Sequence, residues 1–496
     1  MAGRLVTRFC VATSYCAVLL FCVPQHASAQ RVEDSCRAFF DDRHDALDCV
    51  EAIFTQTDIR YHSIPLPHLT LSSIPPGNGF PIGFVYEKRT NYVSSPFSGP
   101  NQSDSPSAGY KSLVDAKAAF VVSTNTSWYV TGSVTWLPPL SYRPESKNNK
   151  DVCHRLWAFC TKEVFGVDFS ITHRTLQTIN FYGLGPSSPN TQLSFRQTET
   201  YGGAVARMPL FNWLTMEGQI ENRKPMVEFS SASLVTNAIT EVTAPGLSNQ
   251  PDFMHYAVGL RTHAQAISEP VTHDPDVTPP GVTQPPLMKH KSVFTFNNTA
   301  AQHWFVDQNT GRYSFRQLAI DGVESITFHS VVRTFVPRHL MTTKLKILKH
   351  FCNQRESGLK VHDECDFGEL SVRPRLVLSA ASTAVVPFYY QPTLGGSDIE
   401  SRLTLRGFND YRFRALDAAM VGVDYRIPVF YPIGALVFYD VGNVGNSIGD
   451  LSFTHARQDA GVGATLSVLH NVAAQVYIGF GAGHGSHLGY NFTKFF

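Results

Sequence analysis

From residue 80 onward the chain is dominated by a period of two. In Trp128 to Trp136 one face carries Trp128, Val130, Gly132, Val134 and Trp136, and the other Tyr129, Thr131, Ser133 and Thr135. In Phe165 to Arg174, Phe165, Val167, Phe169 and Ile171 oppose Gly166, Asp168, Ser170, Thr172 and Arg174. Between Asn212 and Arg223 the polar side holds Glu217, Gln219 and Glu221. A strand with Asp, Arg or Glu on one face cannot bury both faces in an apolar core. Repeated segments of this kind are the pattern of strands with oil on one side and water on the other. An antiparallel sandwich with one wet face produces the same periodicity. After the first 25 residues there is no apolar run of the ~18 residues that a spanning helix requires. A membrane crossing by this chain would therefore be made by strands of a barrel.

Composition agrees. Only 16% of the 496 residues are charged and 12% are aromatic, against roughly 25% charged in ordinary domains. Mean hydropathy is −0.10, as expected when only alternate residues meet lipid. The formal net charge of +1 gives no electrostatic reason to expect nucleic acid as a partner.

The N-terminus has the form of a secretory signal over residues 1–29. Arg4 and Arg8 precede an apolar stretch from Phe9 to Val23, and Ala27-Ser28-Ala29 is a small-residue cleavage site. Cys10, Cys16 and Cys22 would leave with it. Six cysteines then remain in three close pairs, Cys36 with Cys49, Cys153 with Cys160 and Cys352 with Cys365. That arrangement suits local disulfides in an oxidising compartment. No pair has metal-binding C-x-x-C spacing, and no metal or cofactor is expected. Residues 30–76 divide into a short amphipathic helix, with Phe39, Phe40, Leu47, Val50, Ile53 and Phe54 at helical spacing, and a Pro/Ser/Gly-rich linker from Pro65 to Gly79. The barrel is expected over residues 77–496.

Polar stretches at 138–162, 265–288 and 346–368 resemble long extracellular loops joined to strands whose other ends are tight turns. At roughly 25 residues per strand and loop, the chain accommodates about sixteen strands. It closes with Tyr490, Phe492 and the terminal Phe496 on one strand face. A last strand ending in Phe resembles the C-terminal signal of outer-membrane barrels.

The most specific stretch runs from Leu394 to Gly445. Leu405-Arg406-Gly407-Phe408 resembles an R-G-F loop motif. Val421 to Pro428 resembles the following strand with its inward acid, here Asp424. Phe438-Tyr439-Asp440-Val441-Gly442 resembles an F-x-D-x-G strand, and Phe181 to Gly185 a further strand signature. In this order the segments resemble the bacterial surface antigen, or outer-membrane-protein-assembly (BamA/TamA-like), superfamily. The resemblance implies an all-β transmembrane antiparallel barrel in which the loop from about Ala381 to Arg412 folds back into the lumen. Arg406 would meet the wall acids Asp424 and Asp440, Gly407 would permit a tight bend, and Phe408 would pack on the lumen wall. Where many members carry Glu, this chain has Asp424, a shorter reach that would weaken the contact or route it through water. Alternation independently puts Asp424 and Asp440 on the faces opposite Val423 and Val437, where a carboxylate avoids lipid.

The same resemblance implies insertion or translocation of unfolded outer-membrane or secreted proteins by a monomer in a bacterial outer membrane. The periplasmic POTRA repeats that present clients in the family have no room ahead of residue 77. A plugged, passive pore is the alternative. An outer-membrane hydrolase is a third, resting on Ser486 between His484 and His487. No G-x-S-x-G, H-E-x-x-H or phosphate-binding loop is present, so no catalytic residue is expected.

Overall fold

The computed structural model describes most of the chain between residues 68 and 492; residues 1–67, 94–110, 138–164, 231–238, 269–287, 333–351, 493–496 and a few turn positions lie outside the described residues. The signal segment, the amphipathic helix, Cys36, Cys49, Cys153, Cys160 and Phe496 all fall outside them. The described residues belong to one unit, Pro67–Phe496.

These residues form strands with two short 3-10 turns. The strands are β1 (His68–Thr70), β2 (Pro81–Val93), β3 (Lys111–Ser123), β4 (Trp128–Leu137), β5 (Gly166–Phe181), β6 (Leu193–Phe211), β7 (Leu214–Phe229), β8 (Phe253–Ser268), β9 (Met288–Asp307) and β10 (Phe315–Val332). They continue with β11 (Cys352–Ser357), β12 (Lys360–Ser379), β13 (Thr393–Leu394), β14 (Phe413–Arg414), β15 (Asp417–Phe430), β16 (Ile433–Gly445), β17 (Arg457–Val468), β18 (Asn471–Gly481) and β19 (Gly485–Phe492). Seventeen of them share one sheet, and β13 pairs with β14 separately. Pairing is antiparallel between sequence neighbours from β1 to β10. It continues from β10 to β12, from β12 to β15, and on to β19. β11 folds back as a hairpin on β12.

Alternation decides which side chains go where. Ile171 is 63% exposed and Phe480 54%, along with Phe84, Val134, Ile220, Val258 and Val437, all on the outer face. Glu199, Glu221, Asp424, Asp440 and Asp459 are buried on the inner face. A water-soluble sheet protein would have this reversed, because burying apolar area drives its folding.

Tyr477 shows how the inner wall is built. Its register partners on either side, Gly463 and Gly489, carry no side chain, and a Cβ on Gly463 would come within 2.9 Å of the tyrosine's own Cβ. The ring lies against Phe438 at 5.6 Å.

Three expectations are revised. The linker is not structureless throughout, since β1 pairs with Gly83 to Val85. The 346–368 stretch is not simply a loop, because β11 and the start of β12 form a hairpin there, with Cys352 directly opposite Cys365. A closed ring of sixteen is not observed. Among the described residues no backbone register joins β19 to β1 or β2, although the sheet curls far enough that Phe80 and Phe492 meet at 5.1 Å. The order of the described strands also fixes the end from which the inward loop leaves the sheet. Connections in an up-and-down sheet alternate ends, so the chain leaves β4, β8 and β10 at one end of the sheet and β12, which feeds the inward loop, at the other. Sequence patterns reveal strands but not the parity of their count, and one extra strand exchanges the ends.

Candidate functional site: the inward loop

The connection from β12 to β15 does not run over a surface. Residues 380–416 cross the space enclosed by the sheet and touch side chains from β5 around to β19. The first part is an aromatic anchor. Phe388 packs among Phe181, Phe195 and Phe229 at 5.2, 5.1 and 5.7 Å. Tyr390 sits beside Phe253 and Phe305 at 5.3 and 5.2 Å, and its hydroxyl donates to Glu199 at 3.1 Å. Edge-to-face and tilted contacts of this kind add to the burial of the rings.

A small hairpin follows. Gly396 N donates to Leu405 O at 2.8 Å and Thr404 N returns to Gly396 O at 2.9 Å. Gly395 and Gly396 have φ of 116° and 58°, which glycine adopts at little cost. The hairpin delivers the turn Leu405 to Phe408, closed by Phe408 N to Leu405 O at 3.1 Å.

Arg406 is 0% exposed. Its Nε and Nη2 donate to the two oxygens of Asp440 at 2.7 and 2.8 Å, Nη2 also donates to Asp424, and its backbone N–H reaches Asp440 at 3.3 Å. The direct contact shows that the short Asp424 side chain needs no bridging water. The guanidinium lies 3.7 Å from the centroid of the Phe438 ring, a cation–π contact strengthened by the absence of water. Burial by itself lowers an arginine pKa, but Asp440 and then Asp424 overcome it and hold Arg406 above the usual arginine range.

Gly407 is needed for close approach. A Cβ there would come within 2.5 Å of the Asp459 side chain and 2.7 Å of Gly481 N. Phe408 is buried against Phe413, ring centroids 5.2 Å apart, in a cluster with Leu394, Leu405, Met420 and Val444. Tyr490 and Phe492, 5.6 Å apart, are far from this turn in character: they face outward on the last strand.

Several participants carry no motif. Arg373 on β12 donates to Leu403 O and pairs with Asp424 and Asp440, each contact 3.0 Å. Asp459 lies directly opposite Asp440 on the next strand. Gly479 and Gly481 form the groove for the turn, since a Cβ on either would come within 2.8 Å of Arg406 O or Gly407 O. A second set of ion pairs ties the hairpin to the wall, Arg375 to Asp398 at 2.5 Å and Arg402 to Asp321 at 3.1 Å. The available signals were period-two pairs, Arg373 with Arg375 and Gly479 with Gly481, each marking one inward face.

A cavity of about 730 Å³ lies against the loop, and its lining includes Glu217, Arg223, Arg261, His255, His303 and Glu400. Ser486 and His487 are adjacent on β19, so their side chains leave opposite faces and do not form a catalytic pair. His484 lies outside the described residues.

The fold is similar to that of a solved BamA barrel. That structure is BamA from Haemophilus ducreyi lacking POTRA domains 1–3, and the likeness covers 87% of this chain and 70% of that chain, at 9% identity and a TM-score of 0.43. No family model matches the sequence, and no curated protein matches it.

Proposed function

We propose that this chain is an outer-membrane β-barrel of the surface antigen type that assists insertion or translocation of proteins at that membrane, without catalysing a covalent reaction. The observation that carries the reading is Arg406. A loop arginine at 0% exposure, held between two acids of the wall, makes sense as a lock on a plug inside a barrel whose outer face is apolar.

Two further features support it. The outer belt of Val, Ile, Phe and Tyr suits hydrocarbon. The two ends of the sheet come together, with the rings of Phe80 and Phe492 in edge-to-face contact at 5.1 Å. The partners are outer-membrane lipid and unfolded outer-membrane or secreted polypeptides, met by a monomer. Opposed to this is a plugged passive pore, favoured by the size of the 730 Å³ cavity and the charged side chains in its lining.

The test is reconstitution of the full chain into liposomes with an unfolded outer-membrane protein as client. Faster client folding than in empty liposomes supports assisted insertion. Ion conductance with no effect on the client supports the pore.

A further inference from the structure

Arginines that face the large cavity are neutralised by carboxylates. Arg174, Arg223, Arg261, Arg373, Arg375 and Arg402 each have an acid oxygen at 2.5–3.3 Å. At the other side of the loop the rule fails. Arg412, Arg414 and Arg457 have no carboxylate partner among the described residues. They donate only to neutral acceptors: Arg412 to Ser188 Oγ, Ser188 O and Asn190 Oδ1 at 2.8, 3.0 and 2.6 Å, Arg414 to Phe388 O at 2.6 Å, and Arg457 to Pro186 O at 2.7 Å.

Arg412 and Arg457 both lie against the Phe413 ring. Their guanidinium carbons lie 4.8 and 4.1 Å from the centroid of Phe413. Arg412 is buried, and Arg457 is partly exposed at the first position of β17. Arg414 lies deeper, and Gly185 N donates to its carbonyl at 2.7 Å, which fastens the β5–β6 connection over the cluster. Burial pulls the Arg414 guanidinium down to about 10. Burial, and then the charge of Arg457, lowers that of Arg412. All three stay cationic near neutral pH.

Arg414 lies apart, beside Phe195 and Phe388; the two like charges of Arg412 and Arg457, brought to one ring without an anion, are costly, and carbonyl dipoles compensate only part of that cost. The geometry points to a phosphate-binding site between Arg412 and Arg457, at the end of the sheet that carries the inward loop. A phosphate monoester suits it because its oxygens accept paired N–H donors from planar guanidinium forks, and its double charge near neutral pH matches two arginines. The group could be inorganic phosphate or the headgroup of a phosphorylated lipid, which the same donors would recognise. The site is separate from the Arg406 lock and does not depend on the insertion reading.

The experiment uses the folded full chain in neutral detergent. Its unfolding temperature is followed while inorganic phosphate is titrated against chloride at equal ionic strength. The expected result is a saturable rise with phosphate alone, and half-saturation at least about tenfold weaker in Arg457→Gln, the loss of one charge-assisted contact. A parallel series in phosphatidylcholine vesicles with and without phosphatidic acid separates the sources. A rise with inorganic phosphate assigns the free ion, and a rise only with phosphatidic acid, abolished in Arg457→Gln, assigns the lipid. No saturable effect of either, or an effect unchanged in Arg457→Gln, overturns the site. If that variant does not fold, Arg457→Lys, which keeps the charge and loses the planar fork, takes its place under the same criteria.

Discussion

Arg406 and Asp440 are joined by three hydrogen bonds, two from the guanidinium and one from the Arg406 backbone N–H. The pairing fixes a side chain and the main chain of the loop to one point on β16. A lone charge pair would fix only the first. Asp424 and Arg373 then complete an alternating set of cations and acids across β12, β15 and β16.

Arg406→Ala should therefore destabilise the folded barrel by about 3–5 kcal/mol, the usual cost of breaking a buried ion pair from one side. Semi-native electrophoresis after graded heating would show a lower unfolding temperature. The double variant with Asp440→Asn should lose less than the sum of the two single losses, because each removes the same contact. An unchanged unfolding temperature in Arg406→Ala would remove the lock.

Gly481→Val should loosen the loop without unstitching the sheet. A Cβ at 481 would come within 2.8 Å of Gly407 O and 3.0 Å of the Phe408 ring, so the turn could no longer sit against β18. Limited proteolysis should cut within 381–412 in this variant and spare the wild type, while both stay heat-modifiable.

Replacing residues 381–412 by a short Gly/Ser linker should open the lumen. The aromatic anchor around Phe388 and the Arg406 set would both be lost, leaving the charged inner wall in contact with water. Planar bilayer recordings should show steady conductance in the replacement and little in the wild type. Equal conductance would mean that the loop does not fill the channel.

Asp410 gives a pH dependence whose sign follows from burial. Its carboxyl accepts from Ser397 N at 3.1 Å, yet burial pushes its pKa up to about 7. A pKa raised in the folded state means that the folded chain binds more protons than the unfolded one between about pH 4 and 7. This stabilising contribution is complete below pH 4 and is lost as pH rises through 7. Asp410→Asn should flatten the fall in unfolding temperature across that window, and parallel pH profiles for variant and wild type would contradict the assignment.

Much of the architecture was legible because a strand with two solvents writes its environment into alternate residues. Phe169 and Ile171 face outward and Asp168 pairs inward with Arg207, as their spacing alone implies. The R-G-F motif and the acids of the two strands that follow it mark Arg406, Asp424 and Asp440 in the sequence. Arg373 was not legible, because its role depends on β12 lying beside β15, and no local pattern records which strand is a neighbour. Gly479 and Gly481 were equally hidden, since a glycine is informative only once the turn that presses on it is known.

By itself, the sequence determined that strands from residue 80 onward separate apolar from charged side chains, since a two-residue period leaves a residue no choice of face once its neighbours are placed. Only the tertiary structure decided which end each connection occupies, that Arg373 and Asp459 join the acids around Arg406, and that Arg412 and Arg457 both reach Phe413. Those outcomes depend on strand count, register and curl, which are properties of the whole sheet and are set by contacts hundreds of residues apart.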